Sequence, residues 1–166
     1  MRRCFFFFAL IPFLIGCSKI DELTKFNMNY EQSVTIPSST GINLPFDMFT
    51  PDTETNSESE FSVNDTRKDL IEEIKLTKLE LNITTPNGAD FSFLKSIEVY
   101  ISADGLNEIL IADYPEVPEN SGNTLSLNTA DVDLKEYIKK DKFNLRLNTV
   151  NDEVISQDHE ISVKST

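Results

Sequence analysis

The sequence predicts a mostly β protein, an immunoglobulin-like antiparallel β-sandwich of about seven or eight strands with two short helices in the connections. Apolar and polar residues alternate with a period of two over much of the chain, as they do in half-buried strands. Clusters of Gly, Pro, Asn and Asp separate these segments at short intervals. Long helical patterns between the strands are missing, which argues against a parallel sheet. A small barrel is the second architecture that fits.

The first half of the domain contains two predicted strands, a loop and a helix. Residues 26–36 carry apolar side chains at one parity and end at a proline, so they predict a long strand. Residues 41–49 place Ile42, Leu44 and Phe46 on one parity but contain a proline, which indicates an edge strand. Residues 50–60 read TPDTETNSESE and predict an acidic, mobile loop. Residues 66–74 resemble a capped amphipathic helix.

The second half repeats the alternating pattern. Residues 91–94 predict one helical turn, and residues 133–140 predict the second helix, with Asp133 as its cap. The remaining strands are predicted around residues 79–83, 97–101, 108–112, 125–127, 143–147 and 155–163.

The first 17 residues have the pattern of a secretion signal. Arg2 and Arg3 precede an apolar run at residues 4–15, which is shorter than the ~20 residues a membrane-spanning helix needs. A small residue and a cysteine follow, so that residues 14–17 read Leu-Ile-Gly-Cys. This segment resembles the lipobox of bacterial lipoproteins. The resemblance implies cleavage before Cys17, attachment of lipid to its thiol, and acylation of the new amino terminus, including palmitate.

These features divide the chain into a lipoprotein signal peptide at residues 1–16, a lipidated tether at 17–23 and a single domain at 24–166. Several acyl chains anchor a protein durably to a membrane. Ser18 after the cysteine resembles the sorting pattern that implies the outer membrane, while the leaflet stays open. Only Cys17 of the two cysteines would remain in the mature chain, so no internal disulfide is expected.

Charge and motif content narrow the chemistry. The formal net charge of −13 repels phosphate backbones, so nucleic acid is not an expected partner. His159 is the only histidine and is expected to be structural, and no Gly-x-Ser-x-Gly motif or zinc-ligand set occurs. The acidic pairs Asp131/Asp133 and Asp104/Glu108 do not match a calcium-binding loop. No catalytic residue, cofactor or metal is therefore expected.

Exposed aromatic residues are few. The chain has no tryptophan, and five of its twelve phenylalanines lie in the signal segment. Tyr100 and Tyr114 remain as the candidate exposed aromatic contacts. The sequence favours a non-catalytic, lipid-anchored module of the cell envelope that contacts another protein, for example by adding a strand at a sheet edge.

Three alternatives make distinct structural demands. A carrier of small apolar ligands requires a continuous void between the sheets. A glycan-binding surface lipoprotein requires Tyr100, Tyr114 or another aromatic residue in a shallow exposed groove. A carboxylate-dependent hydrolase requires two acids that face each other across a cleft.

Overall fold

The computed structural model describes residues 25–166; the predicted signal peptide and the predicted tether with Cys17 lie outside this range. Within it, the chain forms two antiparallel sheets, so the mostly β prediction is confirmed. The strands are β1 (Tyr30–Ile36), β2 (Pro45–Phe49), β3 (Thr53–Glu54), β4 (Leu79–Thr85), β5 (Leu94–Ala103), β6 (Ile109–Tyr114), β7 (Thr124–Ser126), β8 (Asn128–Thr129), β9 (Lys142–Asn151) and β10 (His159–Ser165). The helices are α1 (Ser57–Val63), α2 (Lys135–Ile138) and a 3-10 turn (Phe91–Phe93).

The two sheets have different strand orders. The first sheet runs β1-β10-β4-β7, and the second runs β2-β9-β5-β6-β8, with β3 pairing with β9 beyond the end of β2. The chain crosses between the sheets several times, after β1, β3, β4 and β6 and again at Leu127, between β7 and β8. It returns to the first sheet between β9 and β10. Among the named strands, only β5 and β6 are both consecutive in the chain and paired; the other pairs join strands that are not consecutive.

The core lies between the sheets and follows the predicted alternation. In β4 the inward residues are Leu79, Leu81 and Ile83, and in β9 they include Leu145 and Leu147; all are buried. Burying such side chains removes their apolar surface from water and supplies the main stabilising free energy of the domain. In β1, β5 and β10 the residues of one parity are likewise mostly buried between the sheets.

The predicted helix over residues 66–74 is wrong. Residues 67–70 form a turn, Leu70 is exposed, and the chain then runs without helix to β4. Ile74 explains this difference, because its N–H donates to Asp133 Oδ1 at 3.0 Å and its carbonyl accepts from the Leu134 N–H at 2.7 Å. These tertiary bonds use the backbone groups that a helix would pair with its own turns.

The predicted loop over residues 50–60 is also wrong in its secondary structure. It contains β3, which pairs with β9, and the start of α1. Glu58 and Glu60 lie in the first turn of α1, where negative charge favours the positive end of the helix dipole. Phe61 is 1% exposed and its ring meets that of Phe26 edge-on at 6.0 Å between centroids. One buried aromatic side chain thus anchors a segment whose other residues are mostly polar.

The second helix is present but shorter than predicted. It is the single turn α2, and Asp133 Oδ1 accepts a hydrogen bond from the Lys135 N–H at 3.0 Å. The predicted helical turn after Asp90 is confirmed as the 3-10 turn, whose N-terminal Asp90 side chain accepts from the Ser92 N–H.

Candidate functional site

Strand β2 is an edge strand of the second sheet, as predicted. It pairs with β9 in the register Phe46↔Thr149 and Met48↔Leu147. Met48 is buried against the core and Phe46 is half-buried, so the inward face of the strand is filled. The opposite face of the strand carries Asp47 and Phe49, which are exposed.

The hydrogen-bond phase of β2 leaves backbone groups pointing away from β9. The Thr50 N–H donates to the Leu145 carbonyl at 2.9 Å. Hydrogen-bonded and non-hydrogen-bonded residues alternate along an antiparallel pair. Phe46 and Met48 lie four and two residues before Thr50, so their backbone N–H and C=O groups also face β9. The N–H groups of Asp47 and Phe49 and the carbonyls of Pro45, Asp47 and Phe49 therefore point outward. An outer edge with such groups is a template for another strand.

Exposed apolar side chains are concentrated at this edge. Ile42 is 42% exposed, Leu44 63% and Phe49 64%. They make up half of the exposed large apolar side chains in residues 25–166, and the others (Val63, Leu70 and Val154) are separated along the chain. We call residues 42–49 the β2 edge. The sequence placed Ile42 and Leu44 on the same parity as Phe46 within one edge strand; in the structure they lie before Pro45, outside β2.

A charged cluster fixes β2 to the outer face of the second sheet. Arg146 on β9 donates from Nη1 to Asp47 Oδ1 at 2.6 Å and from Nε and Nη2 to Glu108, with Nη2 to Oε2 at 2.7 Å. Its guanidinium carbon lies 4.2 Å from the ring centroid of Tyr100, a cation–π geometry. Hydrogen bonds from Asn148 and Arg146 lower the pKa of Asp47. Hydrogen bonds to Glu108 raise the pKa of Arg146 above its usual range.

The two candidate tyrosines do not share a groove. Tyr100 lies on the outer face, where its hydroxyl donates to Glu98 Oε2 at 2.9 Å and Arg146 covers its ring; this hydrogen bond raises the pKa of Tyr100. Tyr114 is paired with the buried Ile97, so its side chain lies on the core-facing side, where it packs against the core. Their function as contacts stays a prediction.

Three of the four acidic residues in the predicted acidic pairs, Asp131, Asp133 and Glu108, have other partners in this part of the chain. Asp131 binds Lys75 Nζ at 2.6 Å, and Asp133 accepts two backbone N–H groups. Glu98 and Asp113 are direct cross-strand neighbours in an open, shallow depression of the outer face, without a cleft between them. Within residues 25–166, no group of three or more His, Cys, Asp and Glu side chains is arranged to hold a metal ion.

His159 is packed into the fold at the start of β10. It is buried, its Nδ1 lies 2.9 Å from the Gln157 carbonyl, and its ring centroid is 4.8 Å from that of Phe93. Contacts of this kind suit a structural side chain. In the same described range, no helix has the length and apolar content needed to cross a membrane.

Beyond β2, the same side of the sheet becomes acidic. Asp52, Glu54, Glu58 and Glu60 are all exposed, and we call residues 52–60 the acidic segment. Lys68 Nζ lies 3.5 Å from Glu58 Oε1. The β2 edge and the acidic segment form one border, which is apolar where β2 pairs with β9 and negative from β3 into α1.

No protein-family model matches this chain, and no curated protein matches it. The functional conclusions therefore depend on the residues and geometry described above.

Proposed function

We propose that this protein is a non-catalytic lipoprotein of the cell envelope, anchored through Cys17, that binds another protein through the β2 edge. The observation that carries the proposal is the coincidence of outward-pointing backbone groups with exposed Leu44 and Phe49 on one edge strand. Main-chain bonding at a free edge supplies affinity, and neighbouring side chains supply specificity. The expected compartment is the outer membrane, by the sorting resemblance at Ser18.

An anchor at Cys17 also limits where the domain can lie. Phe26 is nine positions after Cys17, so the Cα atoms of the two residues lie at most about 32 Å apart. Phe26 packs against Phe61, so under this proposal α1 and the acidic segment lie on the membrane-proximal side. Strand β9 is about 30 Å long and begins beside the acidic segment. Ile42 lies at the other end of β9, opposite Asn151. The apolar end of the border would then lie farther from the point of lipid attachment than the acidic segment does.

Replacing Cys17 with serine tests the anchor. We expect Cys17→Ser to lose incorporation of labelled palmitate and to leave the membrane fraction, because a hydroxyl does not replace the thiol as the lipid acceptor. Cys4→Ser is the matched control, since Cys4 lies in the apolar run, and it should keep both properties. Unchanged membrane partition of Cys17→Ser, or no palmitate in the parent protein, would exclude lipid anchoring at this residue.

We also propose that the sandwich is a variant of the immunoglobulin-like arrangement. The neighbours β9, β5 and β6 correspond in order to strands F, C and C′ of a variable-type domain. The arrangement differs from that fold at the last strand. Here β10 lies between β1 and β4 in the first sheet, whereas strand G of a variable-type domain lies beside strand F in the other sheet. Strand-by-strand comparison of an experimental structure with such domains would test the assignment.

A further inference from the structure

We infer that the segment bound at this border is an extended stretch of a partner protein with an apolar part and a Lys/Arg-rich part. This inference rests on the proposed function and adds the chemistry of the partner. An extended occupant follows from the outward N–H groups of Asp47 and Phe49, which need acceptors spaced as in a strand. Pro45 offers no N–H, so pairing is confined to the few residues after it.

The apolar part follows from the side chains that flank those donors. Phe49 lies beside Arg146 on the outer face, and Leu44 precedes the strand. An added strand would cover Phe49 and Leu44 and remove their apolar surface from water, which favours binding. Apolar residues in the partner are the complement of this surface.

The basic part follows from the acidic segment. Glu58 is near Lys68 and Glu54 is the cross-strand neighbour of Lys142, but Asp52, Glu54 and Glu60 form no ion pair within 4 Å in the described range. Lysine or arginine in the partner would complement this excess of negative charge. A second copy of the chain would instead present another acidic segment and a net charge of −13, and anionic lipid headgroups would also be repelled.

A peptide probe tests this inference with the full-length protein in non-ionic detergent. The probe is a fluorescent peptide with six alternating Val and Thr residues followed by three lysines. We expect saturable binding that weakens as salt rises, because exposed charges are screened. The same peptide with glutamates in place of lysines should bind at least about tenfold more weakly. A version N-methylated at alternate backbone nitrogens should not bind, because it cannot pair with the edge.

Side-chain variants locate the apolar contact. Leu44→Thr should weaken binding of the lysine peptide about fivefold through lost apolar contact. Leu70→Thr is the matched control, because Leu70 is 58% exposed, close to the 63% of Leu44, but is not part of the β2 edge; the affinity of this variant should be unchanged.

Charge variants locate the basic contact. The double variant Glu54→Gln/Glu60→Gln should bind the lysine peptide about three- to tenfold more weakly. Glu116→Gln/Glu119→Gln changes the net charge by the same amount at exposed residues of another loop and should have little effect. Equal losses in both pairs would mean that only the overall charge attracts the peptide, which would overturn the assignment to the acidic segment.

Other results would overturn the inference in distinct ways. Equal binding of the glutamate or N-methylated peptide would contradict a basic, strand-forming partner. Binding to phosphatidylglycerol vesicles that Leu44→Thr abolishes would indicate a membrane, and self-association in sedimentation that Leu44→Thr abolishes would indicate a second copy. If an envelope protein still cross-links to the β2 edge in cells while the lysine peptide fails to bind, the proposed function stands and the partner chemistry is wrong.

Discussion

Replacing Phe61 with alanine is expected to lower the free energy of unfolding by about 3 kcal/mol, within the usual range for buried phenylalanine. Phe61 is 1% exposed and lies outside the main core between the sheets, where it contacts Phe26. Its removal leaves α1 without its largest buried side chain. A helix of seven residues has too few internal bonds to persist without such packing.

The matched control is Phe49→Ala, because Phe49 is 64% exposed on the β2 edge. We expect its stability to change by less than about 0.5 kcal/mol. Urea denaturation of both variants, followed by circular dichroism, measures the difference. Similar stability for Phe61→Ala and the parent protein would mean that residues 57–63 are not held by this side chain.

Replacing Arg146 with methionine is expected to lower the free energy of unfolding by about 1.5 kcal/mol, the low end for hydrogen bonds between charged groups. The substitution removes charge-assisted hydrogen bonds to Asp47 and Glu108 and the cation–π contact with Tyr100. The Arg146 side chain is 19% exposed, whereas that of Asp47 is 46% exposed, so solvent screening keeps the effect modest. Arg146→Lys should lose about half as much, because lysine keeps the charge but not the bidentate geometry.

The effect of Arg146→Met should depend on pH in a defined direction. The pKa of Asp47 lies below its usual 3.8, chiefly through hydrogen bonds from Asn148 and Arg146. A carboxyl group with a depressed folded-state pKa stabilises the fold above its unfolded-state pKa, and this contribution is lost as pH falls through the folded-state value. The stability gap between parent and variant should thus be constant above about pH 5 and narrow below about pH 4. A gap that widens on acidification would contradict an ionised Asp47 as partner.

The strands could largely be predicted because their pattern is local. The apolar inward residues of β4 and β9 are spaced two positions apart, and a period of two is visible without knowledge of the partner strand. The two-residue strands β3 and β8 could not be found in this way. Each is a strand because it pairs with a strand that is distant in sequence, as Thr53 and Glu54 pair with β9.

The helices show where local signals mislead. Residues 66–74 have a capping pattern, yet tertiary hydrogen bonds to Asp133 and Leu134 hold Ile74 in a non-helical conformation. Residues 57–63 are nearly all polar, yet they form α1 around Phe61. The local feature that favours α1 is the pair of acids in its first turn, since the Asn56 side chain makes no capping hydrogen bond.

The candidate site was only partly predictable. The proline in residues 41–49 correctly indicated an edge strand, because proline cannot donate to a ladder. The exposure of Leu44 and the clamp of Arg146 on Asp47 depend on how β2 is placed against β9, which the sequence alone does not show. The Cys17 interpretation depends on residues outside the described range and stays a prediction.

The most direct measurement is site-specific photo-cross-linking in living cells, with a photoreactive phenylalanine analogue at position 49 and the same analogue at position 70. Both positions are more than half exposed, and only the first is on the β2 edge. Binding at this edge predicts that position 49 captures a discrete envelope protein that position 70 does not. Identical products from both positions, or no protein captured at position 49, would contradict a partner at the β2 edge.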